Sequence, residues 1–121
     1  MRFFAVFLAL AGVGRSAARF NVVEATIPQM QEALKKKRVT SRQLVERYLE
    51  RIAMYNDKLH ATIAVNPKAL EEADELDRER ARKKIRGPLH GIPIALKDNI
   101  LTTHLPTTGR GAVLHRICAA L

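Results

Sequence analysis

The sequence predicts an α/β fold of which this chain holds an incomplete set of elements. Two observations carry the class. Helical apolar spacing recurs in three stretches between residues 26 and 84, and two short runs, Thr62–Val65 and Ile94–Leu96, have strand character. A third bears on completeness. Ile94, Ala95 and Leu96 are apolar on both parities, as in a strand buried on both faces, and such a strand needs sheet neighbours that the chain lacks.

Each helix has its own signals. Thr26 caps the first, with Pro28 tolerated in its opening turn and Ile27, Met30, Ala33 and Leu34 at helical spacing. Lys35, Lys36, Lys37 and Arg38 fall at its C-terminal end, where cations complement the helix dipole. Thr40-Ser41-Arg42-Gln43 is a capping box for the second helix. Leu44, Val45, Tyr48, Leu49 and Ile52 form its apolar stripe, and Asn56-Asp57 ends it. The β-branched run 62–65 predicts a strand. Asn66-Pro67 breaks that run and opens a third helix to about Lys84, with Leu70, Ala73, Leu76 and Ala81 as its buried stripe. This helix is acidic in its first half and basic at its end, again in the sense of the dipole.

Composition narrows the function classes. The chain has 121 residues, 47% hydrophobic and 27% charged, with a formal charge of +9. That excludes collagen-like and disordered chains. The single cysteine, Cys118, excludes an internal disulfide framework and a zinc site built from cysteines. With 5% aromatic residues and no tryptophan, the chain has no platform for stacking bases. A basic nucleic-acid binder or a membrane-surface protein is one reading of the charge. Because the cations sit at helix ends and alternate with acids, a solvated, dipole-matched surface is the reading adopted.

The N-terminus reads as an export signal. Met1-Arg2 is followed by the apolar run Phe3–Val13 and the small-residue pattern Ser16-Ala17-Ala18. The run is shorter than the roughly 20 residues needed to span a bilayer. A buried N-terminal helix is the alternative. Residues 1–18 are therefore expected to be a signal peptide, and the protein secreted or periplasmic.

Chemistry concentrates in GPLHGIPIALKDNI, residues 87–100. Its glycines and prolines shape a tight turn, and Lys97 follows the apolar run 94–96. A lysine at the inner end of a buried strand is driven towards its neutral form, which suits a general base. His90 is read as a structural hydrogen-bonding residue.

This run, together with VTSRQLVERYLERIAMYNDKLHATIAVNPKALEEADELDRER before it, resembles the amidase signature family of Ser–cis-Ser–Lys amidohydrolases. The resemblance covers about residues 26–109. It implies the N-terminal helices and first strand or strands of that family's fold, a mixed sheet wrapped by helices. It also implies Lys97 as the catalytic lysine, a small-molecule amide substrate, and no metal or organic cofactor. Asp98 and Asn99 would hold the loop after it. The reaction implied is amide hydrolysis: the lysine accepts a proton through a serine in a cis peptide from a nucleophilic serine, and an acyl-enzyme forms. Neither nucleic acid nor stable membrane association after signal removal is expected.

The serine-rich signature of that family has no counterpart here, since Ser16 and Ser41 are the only serines. The chain is expected to be an amidase-family protein cut short before both catalytic serines and inactive alone. The alternative is a small non-catalytic helical module for binding or dimerisation. The expected division is a signal peptide at 1–18, an amidase part at 19–109 and a divergent tail at 110–121, which would reflect a frameshift or alternative end. The terminal Cys-Ala-Ala-Leu fits a prenylation signal, but that chemistry is cytosolic and conflicts with export.

Overall fold

A computed structural model describes residues 20–102 and residue 105. The expected signal peptide, the 110–121 tail and Cys118 lie outside the described residues. The element order is α1 (Ile27–Lys35), α2 (Ser41–Leu59) and α3 (Ala69–Ala81).

α1 and α2 open on complete capping boxes. The Thr26 hydroxyl accepts from the Gln29 amide and the Gln29 side chain accepts from the Thr26 amide; Thr40 and Gln43 repeat the pattern. α1 closes on a Schellman motif. Lys37 adopts φ 54°, its amide donates to Leu34, and the Arg38 amide donates to Ala33 at 2.9 Å. α3 closes the same way through Lys83, at φ 61°, with the Lys84 amide on the Glu79 carbonyl at 2.9 Å. Lysine thus occupies the left-handed position usually given to glycine at both ends.

Three boundaries differ from expectation. α2 runs on past Asn56-Asp57 to Leu59, because His60 is the residue that turns left-handed, at φ 48°. The Asn56 side chain instead clasps the returning chain, accepting from the Thr62 amide at 2.8 Å and donating to its carbonyl. α3 stops at Ala81, three residues early, where the Schellman turn reverses the chain and leaves Ala81 exposed. The third difference is the strands: no residue among those described is in a ladder. Thr62–Val65 and Ile94–Leu96 carry no pairing partner, and Ile63, Val65, Ile94 and Leu96 are exposed. A strand is defined by its neighbour's hydrogen bonds, and among the described residues there is no neighbour.

The core is small. Met30, Ala33 and Leu34 of α1 pack with Val39, with Leu44 of α2, and with Val22 and Ile92 from the flanking segments. Leu34 and Leu44 are fully buried, and Tyr48 packs against the edge of this cluster. α2 and α3 pack against each other with the start of α2 beside the end of α3, so they run antiparallel.

Candidate functional site

Residues 87–92 are seated where the three helices meet. Asp77, near the C-terminal end of α3, accepts from the first two amides of α2, Ser41 at 2.8 Å and Arg42 at 3.1 Å. With Thr40 receiving the Gln43 and Leu44 amides, every otherwise orphaned donor at this helix start has an acceptor. A carboxylate there also meets the positive end of the α2 dipole. Arg42 reaches back to α3, bonding Asp74, and along α2 to Glu46 at 2.9 Å. Its hydrogen bonds to Glu46 and then Asp74 raise the guanidinium's affinity for its proton further.

The loop from 82 to 92 lies over this junction. Two turns shape it, closed by the His90 amide on Gly87 and the Ile92 amide on Leu89. Gly91 sits at φ 78° in the second turn. Its missing side chain is required: a Cβ there would overlap the Ser41 hydroxyl. Ser41 is wholly buried beneath it. Ile92 then enters the core and anchors the far side.

His90 is the centre of the loop's bonding and is 6% exposed. Its Nδ1 accepts from the Arg86 amide at 3.3 Å, which leaves Nε2 as the protonated nitrogen, donating to the Leu76 carbonyl at 3.0 Å. The His90 carbonyl accepts from Arg80 at 2.6 Å. Gln31 of α1 donates to the Pro88 carbonyl at 2.6 Å. Arg86 grips Glu79 in a two-pronged pair at 2.7 and 2.8 Å, which holds the Glu79 carboxyl below the usual carboxylate range. His90 therefore does what the sequence suggests, holding backbone. Sequence reasoning missed Asp77 and Arg80, both of which look like ordinary surface charges of an amphipathic helix. Only the fold reveals that they face a helix start and a carbonyl.

Beyond Ile92 the chain leaves the core. Lys97 is exposed, and its backbone carbonyl closes a turn with the Ile100 amide at 2.9 Å. The expectation that Lys97 ends a buried strand does not hold among the described residues, because no neighbouring strand covers Ile94 and Leu96. Asp98 is half-buried beside it. No group of three His, Cys, Asp or Glu that could hold a metal ion occurs among the described residues. No described helix is long and apolar enough to cross a membrane.

Comparison with known proteins covers the same scaffold. Residues 43–115 match the family model described as Amidase. A probable amidase of Arabidopsis thaliana is 46% identical over 100 residues, 81% of this chain and 20% of that protein. The chloroplastic/mitochondrial glutamyl-tRNA(Gln) amidotransferase of Vitis vinifera contains a polypeptide that is 32% identical over 75% of this chain and 17% of its own length. Among solved structures, native peptide amidase from Stenotrophomonas maltophilia is similar at a TM-score of 0.75 and 38% identity, over 80% of this chain and 20% of that one. An amidase family protein from Bacillus anthracis follows at 0.71 and 33%, over 82% of this chain and 20% of that one. The chain spans about a fifth of the length of the relatives it matches.

Proposed function

Because the chain belongs to the amidase family, we propose that its segment 87–99 supplies the base side of an amide-hydrolysing site, with Lys97 as the proton acceptor. The described residues are a helical portion of that family's α/β fold, and the chain covers about a fifth of it. The observation that supports the reading is the seating of Gly87–Ile92 against all three helices, through Gln31 of α1, Ser41 of α2 and Leu76 of α3. That seating sets where the backbone departs towards Lys97.

In this reading a neutral Lys97 takes a proton, through a relay serine, from the nucleophile that attacks the amide carbonyl. Neither serine of this chain fits those roles. Ser16 falls in the expected signal peptide, and Ser41 is locked beneath Gly91 at 0% exposure. In this reading the nucleophile and the oxyanion hole, the largest electrostatic contribution to acyl transfer, belong to the part of the family fold that these residues do not cover, and residues 20–102 alone are expected to be inactive. A small-molecule amide is the substrate class proposed for the complete site.

The test is a chimera. Residues 20–102 replace the matching N-terminal part of the Stenotrophomonas maltophilia peptide amidase, and peptide amide hydrolysis is measured. The chimera is expected to be active, and Lys97→Ala within it to lose at least about 10²–10⁴-fold in rate. Full activity of the Lys97→Ala chimera overturns the assignment. We propose also that residues 1–18 direct export and that the amidase part begins at residue 19. Fusing residues 1–24 to a reporter enzyme that works only outside the cytosol checks this, with an inactive fusion as the contrary result.

A further inference from the structure

The fold brings the two most basic runs of the sequence to one end of the molecule. α1 ends at Lys35, with five residues between it and the start of α2, and α3 ends beside that same helix start through Asp77. Lys35, Lys37 and Arg38 therefore share a pole with Arg82, Lys83 and Lys84. All six are exposed and none has an ion pair among the described residues. The acids at this pole are already engaged, Glu32 by Lys36 at 2.7 Å and Glu79 by Arg86. Two exposed apolar side chains follow this run in the chain, Ile85 at 50%, next to Lys84, and Leu89 at 45%, in the turn beyond it.

From this arrangement we propose that the pole is a docking surface for an anionic lipid bilayer. Six unpaired cations cannot be covered by apolar protein without a large desolvation cost, so this surface stays free when the apolar strand segments are covered. Lysines and arginines together with exposed Ile85 and Leu89 match what a headgroup layer offers: fixed negative charge at the surface, and hydrocarbon just below it. A phosphate-backbone reader has no use for the two apolar tips, and the chain has no Phe, Tyr or Trp between residues 56 and 121 to stack on bases. The attachment is reversible, since two apolar side chains bury too little to anchor a protein alone. The dipole-matched reading of the charge holds for single helices; it misses that two helix ends converge.

The experiment is flotation of the full 121-residue chain with phosphatidylcholine vesicles, with and without phosphatidylserine. Flotation separates bound protein from aggregate, which sinks. The chain is expected to float only with phosphatidylserine, and less as salt rises. Lys83→Gln with Lys84→Gln, and separately Lys35→Gln with Lys37→Gln, should each lower the partition coefficient about fivefold per cation removed, at unchanged helical circular dichroism. Ile85→Ser should weaken binding and keep its salt dependence. Three results overturn the proposal: equal flotation with neutral vesicles, no flotation with phosphatidylserine, or both cation pairs dispensable. Tighter binding to duplex DNA than to the anionic vesicles, at one salt concentration, overturns it as well.

Discussion

Gly91 concentrates the residue-scale argument. Its φ of 78° is in the region that L side chains avoid at a cost of about 1–2 kcal/mol, and the space a Cβ needs is filled by Ser41. Gly91→Ala is expected to destabilise the helical scaffold by about 2 kcal/mol or more, followed by urea titration of the helical circular dichroism. An unchanged midpoint would show that the loop lifts off α2 freely. The His-Gly pair was visible in the sequence as a tight turn, and His90 as a structural residue. What the turn presses against was not, because Ser41 lies 50 residues earlier and reads as an ordinary position in a capping box.

At the scale of elements, local signals located the helices and non-local ones placed their ends against each other. Thr26, Thr40 and Gln43 announce helix starts because capping is settled within four residues. Helix stops were harder to read. Lys37, His60 and Lys83 take left-handed conformations without being glycine, so no residue type marks them. The runs 62–65 and 94–96 have strand composition but no partner among the described residues, since pairing is a property of two segments and only one is legible at a time. Asp77 joins α2 to α3. Asp77→Asn is expected to cost about 1–2 kcal/mol by leaving one amide at the α2 start poorly paired and weakening the charge at the dipole. Hydrogen exchange should then quicken at the Ser41 and Arg42 amides while the middle of α2 changes little.

At the scale of the whole molecule, apolar surface outweighs the core. Among the described residues, Ile63, Val65, Ile94, Leu96, Ile100 and Leu101 are all exposed, whereas seven apolar side chains form the central cluster. Exposed apolar residues on this scale mark an interaction face. The 121-residue chain in isolation is expected to bind a hydrophobic dye such as ANS and to self-associate with rising concentration. A dye-silent monomer with one sharp thermal transition would argue instead for an independent module. The Asp77 clasp also has a meaning for synthesis. The residue that completes the start of α2 follows Ser41 by 36 positions. At about 5–20 residues per second, α2 leaves the ribosome about 2–7 s before the carboxylate that receives its first two amides exists. For that interval the longest of the described helices holds its Ser41 and Arg42 amides open to whatever meets the chain first.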